Sequence, residues 1–473
     1  MRRLALCLAV AALTAAEPTP AVFIPASADL AVQVPDLERS RARWAATPYP
    51  RLLATGWGRM LVGEWAMRLE QCAPGAGEAL AGLRSAALAV QGDAPQVTVA
   101  AIGGPQLPAL LALAGLPGRQ TALGPVLAWT NGATVAPGIA PAAPAALADA
   151  GIRLQPGRRL PGFAGDLLVD VQLDAAGLRE TAVVAPTDAL RLAAANPRTW
   201  ADPQELRRLP ATTLWAATWH GDPELAAALP GQDAAGIDTL ERWLAQATLP
   251  GWRETLAACR GPSVVWMAEG MPFPTLNAAL GADEAVARRW IAAATAKLNL
   301  AATPEGASGF VGLVPFTIAW STDRRLVLSS DPQGLAVWQT AKPGFAALPG
   351  VAAALAQVPS HTVLLGVGRG GASWAALAQL SVPLFTAMGA PQAVSLPGDL
   401  RTAGDRGWLY LRLVEDGSLR GESGGLFGGP FAVTTAATLA VPATLWLQGQ
   451  LRSERKVPQA EPDPDVPAPA PVF

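Results

Sequence analysis

Two stretches of this chain repeat one another, and a chain that carries one pattern twice must bury two similar cores. Residues 126–135 (VLAWTNGATV) and 317–327 (TIAWSTDRRLV) each show an apolar run, Ala-Trp, a small hydroxyl residue, a turn and a second strand. A second pair follows them. Leu167–Glu180 (LLVDVQLDAAGLRE) matches Trp408–Gly421 (WLYLRLVEDGSLRG), with Gly177 set against Gly417. Duplication without a duplicated set of catalytic side chains points to a scaffold before it points to an enzyme.

Three segments also open alike, at Pro25, Pro210 and Pro359. Each has a proline, then small or polar residues, then a strand pattern. Helix starts follow the first two. Asp36 is placed to cap one helix, and Asp222-Pro223-Glu224 combines a cap, a proline at the first helical position and an acid in the first turn. Asp202-Pro203 and Asp331-Pro332 repeat the device, and Asp283 caps the stripe Val286, Trp290, Ala293 and Ala294. Trp252, Thr255, Leu256 and Cys259 share a second helical face. Strands are expected at Val97–Ile102 and Val264–Ala268, at comparable points of the two halves. In Leu168–Asp174, Val169, Val171 and Leu173 alternate with polar neighbours, as in a half-buried antiparallel strand.

The expected fold class is therefore α+β: two related halves, each an antiparallel sheet covered by helices. The first half spans residues 22–200 and the second 205–430. The interval from Pro25 to Trp129 nearly matches that from Pro210 to Trp320, but Trp320 to Gly417 is far longer than Trp129 to Gly177. The excess is assigned to an extra strand–helix unit at 359–398, where the first half has the Pro/Ala-rich stretch 136–150. Residues 457–473 are Pro-rich and acidic and are expected to form a disordered tail.

Residues 1–16 read as a signal peptide: Arg2 and Arg3, the apolar run Leu4–Leu13, and small residues before a cut ahead of Glu17. The mature chain is then exported, periplasmic or extracellular. No later window offers an uninterrupted apolar run of membrane-spanning length; the nearest, Val351–Val367, carries Gln357, Pro359, Ser360 and His361. A net charge of −2 leaves no basic field to hold nucleic acid. Cys72 and Cys259 remain after cleavage. An oxidising compartment permits a disulfide between them, and two buried free thiols are the alternative.

Two local motifs invite a sharper reading. Gly366-Val-Gly-Arg-Gly-Gly371 follows an apolar strand and precedes a helical run, the context of a dinucleotide-binding loop. The first acid after it is Asp399, too distant for the ribose-binding carboxylate, and the openers at 25 and 210 lack the glycines. Gly421-Glu-Ser423-Gly-Gly425 resembles the nucleophile loop of trypsin-like proteases. A nucleophilic serine needs a base, and only His220 and His361 are present, neither in that family's setting. Ser423 is better read as part of a returning hairpin strand. Two histidines, and cysteines without CxxC partners, make no metal site, so no cofactor is expected. The 16 tryptophans could stack on sugars or lipids, but Trp129, Trp215, Trp266 and Trp320 fall in strand patterns, and Trp243 and Trp290 in helix stripes, where large rings fill cores.

The opening strand, the Arg/Trp/Leu helix at Leu37–Trp44 and the closing glycine-turn hairpin together resemble exported bacterial proteins of unknown function with duplicated α+β domains. The resemblance covers most of the chain. It implies no activity and transfers no catalytic, cofactor or metal residue. The expected role is a non-enzymatic binding or scaffold protein, with a hydrophobic ligand or a protein partner held between the halves or on a concave sheet face. The alternative is a cell-envelope hydrolase around Ser423, Glu422 or Asp405, and a third reading is nucleotide binding at 366–371.

Overall fold

Short polar side chains open the helices by satisfying amides that a first turn leaves free. Asp36 accepts the Arg39 amide at 2.8 Å and starts α1 (Leu37–Ala46). α2 (Tyr49–Leu53), α3 (Gly56–Cys72) and α4 (Ala76–Ala81) follow. Thr187 caps α5 (Asp188–Ala195), and Asp202 takes the Gln204 amide at the start of α6 (Gln204–Arg207). Asp222 accepts the amides of Glu224 and Leu225 ahead of α7 (Pro223–Ala228). Then come α8 (Ala235–Gln246) and α9 (Trp252–Ala258). Asp283 caps α10 (Glu284–Leu298). α11 (Gly334–Thr340), α12 (Pro349–Leu355), α13 (Gly370–Ala387) and α14 (Leu396–Thr402) complete the set of helices named here.

The strands are β1 (Leu30–Val34), β2 (Ser85–Gln91), β3 (Gln96–Ile102), β4 (Arg119–Leu123), β5 (Val126–Thr130), β6 (Ala150–Leu154), β7 (Leu167–Asp174), β8 (Gly177–Val184) and β9 (Thr213–Gly221). They continue as β10 (Gly261–Ala268), β11 (Thr275–Gly281), β12 (Ala301–Ala302), β13 (Gly306–Val311), β14 (Val314–Trp320), β15 (Arg325–Ser329), β16 (Thr362–Gly368), β17 (Gly407–Leu413) and β18 (Leu419–Gly425). This computed structural model describes residues 18–425 except 26, 73, 92–95, 106, 109–117, 133–147, 155–166, 197–198, 229–234, 247–249, 271–273, 313, 341, 388–393, 403 and 405–406. The expected signal peptide (1–16), the tail (457–473) and Asp405 lie outside the described residues, as does most of the Pro/Ala-rich stretch at 136–150.

Among the described residues, all 18 strands join one antiparallel sheet. Its order by pairing is β4-β5-β3-β2-β1-β6-β7-β8-β18-β17-β16-β9-β10-β11-β15-β14-β13-β12. A separate sheet for each half was expected. The strands form one sheet instead, because β8 and β18, which would each be an open edge, pair with one another. A paired edge no longer offers free backbone groups to other chains.

Counted outward from β8–β18, one arm runs β8, β7, β6, β1, β2, β3, β5, β4. The other runs β18, β17, β16, β9, β10, β11, β15, β14 and then continues through β13 and β12. The Gly177 and Gly417 turns sit at the same place in the two arms. The two Ala-Trp pairs do not. Trp129 is in β5, the seventh strand from the junction, and Trp320 is in β14, the eighth. Strand β16, the opener of the expected additional unit, stands third from the junction in its arm, as β6 does in the other.

One row of directly paired residues crosses most of the sheet. In the second arm it reads Tyr410, Leu365, Thr218, Val264, Ala279 and Val327. These side chains, apart from Thr218, join Trp266, Leu206, Phe345, Trp338 and Ala354 in a core under α6, α11 and α12. In the first arm the row reads Ala87, Ala100 and Ala128, covered by Phe23 and Ile24 of the 20–23 turn and its cap. The opposite face of the second arm is covered by α10, whose Ala287, Ile291 and Ala294 pack on Ile318 and Leu326. Among the described residues, no helix is long and apolar enough to cross a membrane.

Candidate functional site

Between the two apolar stretches the cross-sheet row turns polar: Gln33, Gly151, Asp170, Thr181 and Glu422, ending at Tyr410. These are the strands where the arms meet. A cleft of about 400 Å³ opens on this face, lined by Asp174, Arg179, Gln357, Trp408, Tyr410 and Glu422 with a glycine floor at Gly424 and Gly425. The β7–β8 hairpin supplies Asp174 and Arg179. The β17–β18 hairpin supplies the aromatic rings and Glu422.

Alternation along β17 places Trp408, Tyr410 and Arg412 on one face. The Trp408 and Tyr410 rings stack with centroids 4.8 Å apart. The Arg179 guanidinium lies 5.8 Å from the Trp408 ring centre, within cation–π range. Gly424 stands opposite Trp408, and a Cβ there would come 2.8 Å from ring atoms, so glycine is what lets the ring lie down on the strand. Tyr410 donates to the Ala354 carbonyl at 2.6 Å, which fixes one wall. Arg412 reaches Glu422 at only 3.9 Å. An ion pair this loose and partly exposed contributes little to stability. The site thus offers an aromatic platform beside cations and carboxylates that are open to a further partner.

The other face of the same strands is closed. Glu180 of β8 is 0% exposed, and Ser423 of β18, directly opposite it, is 1% exposed. The Ser423 hydroxyl lies 3.3 Å from a Glu180 carboxylate oxygen. Tyr49 of α2 lies near Glu180 on this side, and with Leu52 it packs against Ala375, Ala378 and Leu400 of α13 and α14. Burial, followed by the charges of Asp174 and Glu180, pushes the Tyr49 hydroxyl up to about 12. Neither histidine lies beside Ser423. His220 pairs with Pro262 along β9, and His361 packs on Trp200 with ring centroids 4.9 Å apart. A buried serine next to a carboxylate and away from any imidazole lacks the access and the base that acyl transfer requires.

The Gly366–Gly371 loop also has internal duties. Gly366 and Gly368 lie within β16, and a Cβ on Gly368 would press on Trp215. At Gly371 a Cβ would fall 2.1 Å from the Leu400 carbonyl, so glycine permits α14 to approach α13. The Gly371 amide donates to the Gly404 carbonyl at 2.6 Å, and Arg369 donates to Leu214 at 2.7 Å. Amides that would hold a phosphate are thus engaged with the chain itself. The loop borders a wider cleft of about 760 Å³ that includes Leu214, Glu269, Arg369, Ala372, Ala376 and Arg401, with Arg369 paired to Glu269 at 2.9 Å.

Two strongly paired clusters lie elsewhere. Arg325 holds Glu205 in a buried two-point pair at 2.6 and 3.0 Å, with Arg208, Asp323 and Trp338 around it. Hydrogen bonds from Ser321, Trp338 and Arg208 lower the Asp323 carboxyl against the opposing effect of its burial. Asp149 accepts from Arg43 at 3.0 Å, Ser40 at 3.1 Å and the Leu173 amide at 2.8 Å. Both clusters tie helices to strands. Cys259 is a free thiol whose pKa burial raises, and the Cys72 side chain lies outside the described residues. Among the described residues, no three His, Cys, Asp or Glu side chains gather as a metal site.

Sequence reasoning singled out Glu422 for a protease-like motif and passed over Trp408, Tyr410 and Arg179. The trace that could have found them is the Trp-x-Tyr-x-Arg alternation of β17. Compared with known protein families, curated proteins and solved structures, the chain matches none.

Proposed function

We propose that this chain is an exported binding or scaffold protein, that its two arms are copies of one fold, and that it holds a segment of a protein partner in the cleft where the arms meet. The observation that carries the reading is the polar gap in the row. Asp170, Thr181 and Glu422 interrupt a surface that is apolar and covered on either side. The matching strand order outward from β8–β18 supports the duplication, and the pairing of like strands resembles an isologous dimer contact. On this reading the halves are 22–200 and 205–430, and the addition at 359–398 reduces to the helices after β16.

The character of the cleft favours a protein segment over a purely hydrophobic ligand. Covering Asp174, Arg179 and Glu422 with hydrocarbon would strip their water without replacing it, which costs several kcal/mol. A peptide can stack an apolar side chain on Trp408 and still answer the charges. The cleft is also of the size that small-ligand sites occupy. The hydrolase alternative loses its nucleophile to the burial of Ser423.

The test is a photo-crosslinking amino acid placed at Thr181, with Leu192 as an exposed control. In the exported chain, position 181 should give a discrete protein adduct that Trp408→Ala removes. The same adducts from both positions, or none from 181, would remove the cleft as the site.

A further inference from the structure

The end of the second arm carries a hairpin, β13–β14, that has no counterpart among the described residues of the first arm. Strands β13 and β14 meet at Val311–Val314, with Gly312 left-handed at the turn. Its large apolar side chains face solvent: Phe310 is 68% exposed, Val314 53% and Val311 40%. Leu298, at the end of α10, is 38% exposed, and Leu300 just beyond it lies against Gly309, which sets the helix end beside the tip. The sequence from 306 to 322 contains no Asp, Glu, Lys or Arg. Scattered exposed apolar residues need no explanation, but a gathered charge-free group does.

The exposure lies on both faces of the hairpin. Phe310 shares one face with Ser308, while Val311 and Val314, paired with each other, lie on the face that α10 covers. A partner groove would need one apolar face; a tip that is apolar all round has the shape of a wedge. Pro315, opposite Phe310, brings no amide hydrogen to be desolvated. The cation beside the tip is Lys297, in the last turn of α10; Arg288 and Arg289 lie in the first half of that helix and are paired with Glu284 and Glu254. An apolar wedge with a cation at its base is suited to an anionic bilayer interface.

We propose that the β13–β14 tip inserts into the interfacial layer of an anionic lipid bilayer, with Lys297 at headgroup level. The test is sedimentation of the full chain with vesicles of phosphatidylcholine alone or mixed equally with phosphatidylglycerol. The wild-type chain should sediment with the mixed vesicles. Phe310→Ser combined with Val314→Ser should lower partitioning by about tenfold or more, given the apolar area withdrawn from lipid. Lys297→Gln should lower it about fivefold on mixed vesicles only. Leu192→Ser, at an equally exposed leucine of the other arm, should bind as wild type. Thermal melts that match wild type establish that the variants are folded. Absence of wild-type sedimentation, or wild-type partitioning by the double variant, overturns the proposal. A concentration-dependent dimer that the double variant abolishes, without vesicle binding, would assign the tip to a second copy and also overturn it.

Discussion

Glu422 and Ser423 are neighbours in the chain and belong to opposite environments. Glu422 faces an open cleft, with Arg412 at 3.9 Å and the aromatic rings of β17 beside it. Ser423 faces inward, fully covered, against the buried carboxylate of Glu180. One residue of register would exchange them, because strand side chains alternate. The difference shows that the junction has a structural face and a presenting face, and that the two are set by the same backbone.

The largest effect is expected where the closed face is tightest. Gly371→Val would drive a side chain into the Leu400 and Gly404 carbonyls. It should cost about 3 kcal/mol or more, by forcing α13 and α14 apart, read as a lowered midpoint in urea unfolding. An unchanged midpoint would mean that the helices do not hold that face closed. Ser423→Ala comes next. Removing a buried hydroxyl from a carboxylate with no access to water should cost about 1–3 kcal/mol. A serine-reactive probe should leave the native chain unlabelled, whereas labelling lost in the Ser423→Ala variant would revive the hydrolase reading.

The third prediction concerns alkaline pH. The Tyr49 hydroxyl titrates near 12 in the folded chain, above its ordinary value of 10.0. The unfolded chain therefore loses this proton first as pH rises. The stability it contributes is whole below pH 10 and is lost between about 10 and 12. Unfolding midpoints should fall across that window, less steeply in Tyr49→Phe; equal slopes would place the cause elsewhere. The smallest effect on stability belongs to the open face. Glu422→Gln should change stability by no more than about 1 kcal/mol, since its ion pair is long and solvated. The same variant should weaken the adduct formed at position 181. A large loss of stability would show that Glu422 belongs to the core and would break the contrast between the faces.

Much of the local structure was legible in the sequence because its causes are local. Asp36, Asp222 and Asp283 each cap the helix that their spacing announced. Val169 and Val171 face inward in β7 as the alternation required. The Gly177 and Gly417 turns occupy matching places in the two arms. The Ala-Trp match misled because a short apolar run with a turn fits either strand of a hairpin. Only pairing shows that Trp129 lies in the seventh strand from the junction and Trp320 in the eighth. The glycines at 366–371 carried a ligand-loop pattern, yet their smallness serves contacts with Trp215 and the Leu400 carbonyl, from residues remote in sequence.

The sequence by itself determined the helix starts, the strand alternation and the mixed α+β class. These follow from hydrogen bonding and side-chain spacing over a few residues. The tertiary structure decided that β8 and β18 join the arms in one sheet, that Glu180 and Ser423 are closed in, and that Trp408, Tyr410 and Glu422 border a cleft. Those outcomes depend on which edge finds a partner and which face a distant helix covers. Neither is encoded within any window short enough to read along the chain.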